Sequence, residues 1–349
     1  MRRYTSVALI TIAALLPVWQ LPFAQSARNA DFDSNGIVDF GDFILFAQAF
    51  GSDQSNFDLD GSGSVDFSDF ILFAQRFGEG MPEEKIAVTL PGGAKLEMVW
   101  IQPGRFLRGS PDIEPGRRDD EGPQHEVTIT QGFYLGKYEV TQAQWQSVMN
   151  TRPWERFGAT DELEKARYPA RNARWEWIQS FILKLNEAEG TDIFRLPTEA
   201  EWEYACRAGT TTPWFFGADS SRIGDYARNR ENSRKATLMP DGRVVYGSLE
   251  PQETGGVLPN PWGLYDMYGN VMEWVQDYWA PYSGEALIDP KGPDEPAEFE
   301  NVNAGWQGSF HVARGGYYFH TALSMRSAIR FRGGGMSQRI GFRLLMEYR

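Results

Sequence analysis

Residues 260–274 read NPWGLYDMYGNVMEW, with Trp262, Tyr265, Tyr268 and Trp274 interleaved with Gly263 and Gly269. A run of this kind reads as turns whose rings gather into a core, and the same interleaving continues through most of the chain beyond Gly209. The whole sequence carries 12 Trp, 14 Tyr and 23 Phe beside 36 Gly. That balance suits a loop-rich fold resting on large rings rather than a helical bundle. At 349 residues there is room for one domain of about 250 residues and a small module.

Upstream, helices and short strands are legible. Thr141 caps a helix, with Gln144 placed for a capping box. A longer helix carries Ile178, Phe181, Ile182 and Leu185 on one face and stops at Gly190. A third starts at the capping box Thr198-Glu199-Ala200-Glu201 and ends near Gly209. Alternation over Glu97–Ile101 and Val127–Ile129 predicts strands. The net charge of -13 excludes nucleic acid as a partner, because displacing counterions from phosphates needs a basic surface.

The N-terminus has a basic start (Arg2, Arg3), an apolar run from Val7 to Leu16, and small residues at Ala24, Ser26 and Ala27. This is the pattern of a secretory signal peptide, assigned to residues 1–30. Pro17, Gln20 and Pro22 break the run below the roughly 20 apolar residues a membrane span requires. The expected location is therefore secreted, periplasmic or cell surface, with no membrane span after cleavage. Cys206 is the single cysteine, so no intrachain disulfide can form.

Residues 31–80 hold an internal repeat: DFDSNGIVDFGDFILFAQAFG from Asp31 and DLDGSGSVDFSDFILFAQRFG from Asp58. Each fits a twelve-residue loop whose oxygens at positions 1, 3, 5, 7, 9 and 12 surround Ca²⁺. The first supplies Asp31, Asp33, Asn35, the Ile37 carbonyl, Asp39 and Asp42. The second supplies Asp58, Asp60, Ser62, the Ser64 carbonyl, Asp66 and Asp69. Gly36 and Gly63 stand where the loop turns sharply. Phe43, Phe46, Ala47 and Phe50, like Phe70, Phe73, Ala74 and Phe77, then recur at helical spacing, so two short amphipathic helices can bury each other. The pair resembles a dockerin-type module, which implies a cohesin-like or cell-surface scaffold partner. A linker is expected at residues 81–85.

From Ile86 to Arg349 several runs, in order, resemble the formylglycine-generating enzyme (sulfatase-modifying factor) family. They are MVWIQPGRFLRGS from Met98, DEGPQHEVTI from Asp120, FYLGKYEVTQAQW from Phe133 and RLPTEAEWEYACRAG from Arg195. The opening run from Asn260, ARGGYYFH from Ala313, RSAIRFR, and RIGFRLL near the C-terminus complete the series. The resemblance implies an α+β, C-type-lectin-like fold with little regular secondary structure, beside the small all-α calcium module. It also implies a structural calcium loop at Tyr268–Glu273, with the Asn270 amide oxygen and the Glu273 carboxylate as hard ligands. Read from the residues alone, the same loop is equally an N-cap with a carboxylate in a first helical turn.

The family's activity is oxidation of a substrate cysteine to formylglycine by two cysteines that hold copper(I). The resemblance puts His320 at the first of those places and Met325 near the second, so copper is not expected and the chemistry is altered. Cys206 reads as a buried structural thiol. A three-histidine iron site, as in related sulfoxide synthases, has only His125, His311 and His320 to draw on. Tyr317, Tyr318, Phe319, His320 and Ser324 form the candidate pocket, the Gly315-Gly316 pair being expected to turn these side chains outward. The neighbouring Arg326, Arg330, Arg332 and Arg343 read as partners of buried carboxylates. Three functions follow: an enzyme of altered chemistry, a non-catalytic module binding a peptide or glycan and tethered through the calcium repeats, or a structural calcium-dependent adapter in a surface assembly.

Overall fold

The computed structural model describes residues 30–33, 37–80, 82–157, 166–239, 243–295, 299–301, 306–308, 310–333 and 338–348. The expected signal peptide up to residue 29, and the loop residues Asn35 and Gly36, lie outside them. The chain divides into two compact units, Met1–Pro82 and Glu83–Arg349.

In the first unit each repeat forms one helix, α1 (Phe40–Ala49) and α2 (Phe67–Arg76). Asp39 and Asp66 are the N-caps, and Asp42 and Asp69 close capping boxes with them. The apolar faces meet as predicted: the Phe46 and Phe73 rings stack at 5.6 Å. Backbone bonds exchange between the repeats: Gly78 N donates to the Val38 carbonyl and Gly51 N to the Val65 carbonyl. Each contact is the other shifted by one repeat, so the unit is built by two copies completing each other. Gly51 and Gly78 have φ of 84° and 94°, a region L side chains rarely enter. Ala30, expected as the last residue of the signal peptide, is buried with Val38 and Phe73. A small apolar residue just ahead of the first loop fills that core.

The second unit has three sheets of three or more strands among the described residues. Lys85–Thr89, Lys95–Ile101, Phe133–Gly136, Leu345–Glu347 and Phe194–Arg195 form an antiparallel five-stranded sheet in that order. The strands predicted at Glu97–Ile101 and Val127–Ile129 lie inside Lys95–Ile101 and His125–Ile129. Lys85, expected within the linker, already pairs with Val99. A four-stranded sheet runs Phe331–Gly333, His311–Arg314, Met272–Tyr278, Ile340–Phe342, and a three-stranded sheet Leu287–Ile288, His125–Ile129, Gly104–Arg108.

The helices start where their caps predict: α3 (Gln142–Met149) after Thr141 and α5 (Glu199–Arg207) after Thr198, both with capping boxes. The intervening α4 (Trp175–Glu189) buries Ile178, Phe181, Ile182 and Leu185 and ends at Gly190, whose φ is 64°. Helix α5 differs from the others because every residue of it is buried, including Glu199, Glu201, Glu203 and Arg207. Packed aromatics fill two cores, one with Trp145, Phe181, Trp274 and Phe342, the other with Trp202, Trp214, Phe215 and Tyr268.

Candidate functional site

Each repeat loop brings three of its four predicted carboxylates together. Oxygens of Asp31, Asp33 and Asp42 lie within 4.8 Å of one another, as do those of Asp58, Asp60 and Asp69. Asp42 and Asp69 are fully buried, and backbone N–H groups aim them. Asp42 accepts from Phe32 N at 2.6 Å, Asp33 N at 3.1 Å and Asp39 N at 2.9 Å. Asp69 accepts from Asp60 N and Asp66 N at 3.0 and 2.9 Å. Asp58 takes Gly61 N and Ser62 N on one oxygen and Gly63 N on the other. Asp39 and Asp66 each give one oxygen to the helix cap, at 2.6 and 2.7 Å. Ser62 Oγ lies 3.1 Å from the Ser64 carbonyl, beside the ring of carboxylates. Hard oxygens held this closely repel one another unless a divalent cation sits among them.

The C-terminal pocket residues fall differently from expectation. Gly315 and Gly316 have φ of 86° and 75°, and Gly269 N donates to the Gly315 carbonyl. Tyr318 N then donates to the Asn270 carbonyl, which draws the chain inward. Tyr317 and Tyr318 are buried in the core cluster with Trp274 and Phe342, so the glycine pair turns them in rather than out. Phe319 is exposed, and His320 and Ser324 are half-buried. The His320 ring meets Tyr317 edge-on at 4.1 Å and stacks on Phe331 at 5.2 Å. Burial, then the nearby Arg339, pulls it down to about 4; the ring is neutral at physiological pH. Met325 is fully buried. Truncating Tyr317 to Ala is therefore expected to cost about 3–5 kcal/mol, as for aromatic truncations in cores. Denaturant titration measures this, and a loss below 1 kcal/mol would return Tyr317 to the surface.

Of the four arginines expected to pair with buried carboxylates, Arg326, Arg330 and Arg343 do so. Arg326 binds Glu121 with both Nη atoms and Glu114 with one, each at 2.6 Å. Arg330 grips Glu199 at 2.6 and 2.8 Å, while Arg108 reaches Glu199 at 2.5 Å. Arg314 lies between Glu199 and Glu203, at 3.4 and 2.5 Å. Arg332 lies exposed over the Trp279 ring, 3.9 Å from its centre. Nothing along the chain singled out the partners Glu114, Glu121, Glu199 and Glu203 beyond their being carboxylates near a helix or turn.

Arg343 binds Glu273 through both oxygens at 2.5 and 2.6 Å, and Trp202 Nε1 donates to Glu273 at 2.6 Å. Glu273 stands on the Met272–Tyr278 strand, not in a helical turn. Asn270, in the left-handed region at φ 49°, donates to Glu139 and accepts from Gln252 N. The loop's expected ligand pair is thus taken up by Arg343, Glu139 and the backbone. The carboxylate beside it with an unpartnered oxygen is Asp266, which burial first of all raises to about 6. Sequence reading missed Asp266 and Glu139, both buried; Asp266 lies four residues before Asn270 in the chain, whereas only the fold brings Glu139 to this loop.

Cys206 is fully buried, and burial pushes its thiol up to about 12. A buried neutral thiol neither attacks nor binds soft metals, both of which need the thiolate.

Comparison with known proteins places this geometry. A sequence profile of the sulfatase-modifying factor enzyme 1-like domain matches residues 85–348. The mouse formylglycine-generating enzyme is 31% identical over 242 residues, covering 57% of this chain and 63% of that enzyme. The chaperone protein LppX of Paenibacillus barcinonensis is 29% identical over 219 residues, covering 55% of this chain and 75% of its own. In structure, variable protein 1 of Treponema denticola superposes with a TM-score of 0.62 at 24% identity, over 76% of this chain and all of its own. PvdO of Pseudomonas aeruginosa gives 0.54 at 25% identity, over the same shares. The α+β architecture described above is the one these proteins share, and no helix of the described residues is long and apolar enough to cross a membrane. With residues 85–348 matched from end to end, the chain belongs to the sulfatase-modifying factor enzyme 1-like (formylglycine-generating enzyme) domain family.

Proposed function

We propose that this protein is an exported member of that family in which copper-dependent formylglycine formation has been lost. Its large domain works as a ligand-binding module, and the calcium repeats are the tether. The observation that carries the reading is the thiol inventory. The sequence has one cysteine, it is sealed in the core, and a neutral His320 wedged between Tyr317 and Phe331 stands where the family's first copper cysteine is expected. Copper(I) selection requires paired soft thiolates. Imidazole held neutral and half-buried offers a single borderline ligand in their place.

The test is direct. Purified full-length protein, mixed with copper(I) and a Cys-x-Pro-x-Arg peptide under oxygen, is expected to form no aldehyde by mass spectrometry. It is also expected to bind copper(I) far more weakly than a dithiolate site. Aldehyde formation would overturn the reading.

The tether role rests on the duplicated loops and on the surface their helices expose. Phe40 and Ile44 on α1, and their repeat counterparts Phe67 and Ile71 on α2, are 44–64% exposed. Paired apolar residues on a small, calcium-fixed module suit a protein partner, the cohesin-like or surface-scaffold partner that the dockerin resemblance implies. Export is part of the same proposal, since loops of this kind fill at extracellular calcium concentrations.

A further inference from the structure

With 47 Asp and Glu against 34 Lys and Arg, the chain as a whole repels anions. One face of the large domain runs against that balance. Arg230 lies over Phe319, its guanidinium 5.5 Å from the ring centre, and Arg339 lies over Tyr317 at 5.0 Å. Tyr317 and Phe319 are themselves stacked, and Arg230 N donates to the His320 carbonyl. Burial raises the Tyr318 phenol, and Arg171 and Arg339 both pull against that rise. Three guanidiniums thus stand beside three consecutive rings, Tyr317, Tyr318 and Phe319.

Arginines elsewhere in the domain are answered by carboxylates: Arg326, Arg330 and Arg343 each grip a glutamate. Among the described residues neither Arg171 nor Arg230 has a carboxylate at ion-pair distance. Arg230 is exposed, so water solvates it. Arg171 is half-buried and meets the Gln338 carbonyl only at 3.4 Å. Burial, which carboxylates outweigh at Arg326 and Arg330, lowers Arg171 from its ordinary value. A guanidinium held partly out of water without a counter-charge gains from an incoming carboxylate, which it can grip with two N–H groups. The exposed Glu250 acts on Arg171 and Tyr318 from beyond that distance and does not fill this role.

The same face exposes apolar groups between the charges. Phe319 is 47% and Leu323 48% exposed. The loop that carries the exposed Ile113 reaches this segment through Glu114, which binds Arg326, and Gly116, which sits beside Leu323. Apolar residues clustered on a surface mark contact with another macromolecule, and the guanidiniums among them select its charge. A polypeptide offers carboxylates and apolar side chains one residue apart, whereas an acidic glycan brings the charge without the apolar groups.

We propose that this face docks an acidic peptide segment of a partner protein, its carboxylates set against Arg171 and Arg230 and its apolar side chains over Phe319 and Leu323. The inference rests on the reading of the large domain as a ligand-binding module and names the class of its ligand.

Fluorescence anisotropy of the full-length, calcium-loaded protein tests it, with a labelled, end-capped octapeptide alternating Glu and Leu as probe. Saturable binding is expected, and the same peptide with Gln for Glu, or with Ser for Leu, should bind about tenfold more weakly. Arg230→Gln and Phe319→Ser change exposed side chains and should each weaken binding about fivefold with unchanged unfolding midpoints. Arg171→Gln should weaken it about tenfold, and Glu250→Gln, which removes the competing charge, should tighten it about twofold. If Arg171→Gln fails to fold, Arg230→Gln and Phe319→Ser decide the matter. No saturable binding, or affinity undiminished by Arg230→Gln and by a folded Arg171→Gln, would overturn the inference. So would equal binding of the Gln or the Ser peptide. Tetragalacturonate, which carries the same four carboxylates, binding as tightly would assign the face to an acidic glycan and refute the peptide. Saturable binding of a Lys-for-Glu peptide alone would overturn the acidic class while leaving the ligand-binding reading in place. Aldehyde formation in the copper assay would remove that reading without altering these affinities.

Discussion

Chelating calcium from the full-length protein is expected to melt α1 and α2 while leaving the large domain folded. Each loop packs three carboxylates within 4.8 Å, and Asp42 and Asp69 are also N3 residues of their helices. Losing the cation therefore sets like charges against one another at the very residues that start the helices. With the metal at 100 times its Kd, each site contributes about 2.7 kcal/mol of stability. Two sites thus supply on the order of 5 kcal/mol, a large share for a module with a core this small. Hydrogen exchange followed by mass spectrometry resolves the outcome. Peptides covering Phe40–Ala49 and Phe67–Arg76 should lose protection in chelator, while those covering Glu199–Arg207 should not. Because the repeats exchange the Val38–Gly78 and Val65–Gly51 backbone bonds, Asp69→Ala alone should deprotect both helices. Protection unchanged by chelator would remove calcium from the account.

Replacing Glu199 by Ala is expected to destabilise the large domain by about 3–5 kcal/mol, the cost of breaking a buried pair from one side. Glu199 is the shared partner of Arg108, Arg314 and Arg330, so its removal leaves three buried guanidiniums short of a carboxylate. An exposed pair such as Lys137 and Glu97 should cost at most about 1 kcal/mol when broken, which makes it the internal control. Scanning fluorimetry on both variants distinguishes the two scales, and similar midpoints for the two would refute the network's weight. The pH dependence carries the same sign. Burial alone would push the Glu199 carboxyl up, but Arg330, Arg108 and Arg314 together hold it down at about 2. A depressed carboxylate stabilises the fold above its unfolded value of about 4.5 and loses that contribution as pH falls toward 2. The large domain should therefore soften across that acid window, and Glu199→Ala should show a flatter acid limb.

Much of this molecule was legible locally, because the information lay in short spacings. The acidic loops show in the carboxylate spacing, which recurs in each half of the repeat. The helices at Thr141 and Thr198 begin at capping boxes that need only four residues to be read, and α4 shows its buried face at Ile178, Phe181, Ile182 and Leu185 by period alone. The linker boundary slipped by one residue at Lys85 because pairing with Val99 is a decision of the sheet. Ala30 is buried with Val38 and Phe73, a placement that a small apolar residue does not announce in the sequence.

The candidate site was legible only in part. The sequence by itself determined the duplicated acidic loops, the absence of a cysteine pair and the family to which residues 85–348 belong, since each depends on residue identity at fixed separations along the chain. Tertiary structure alone decided that Tyr317 and Tyr318 turn inward, that Glu273 is held by Arg343, and that Asp266 keeps the unpartnered oxygen. Those outcomes depend on which of several carboxylates meets which of several arginines across separations of 70 residues or more. Electrostatic pairing in a core is fixed by the packing that excludes water, and no spacing rule along the chain encodes it.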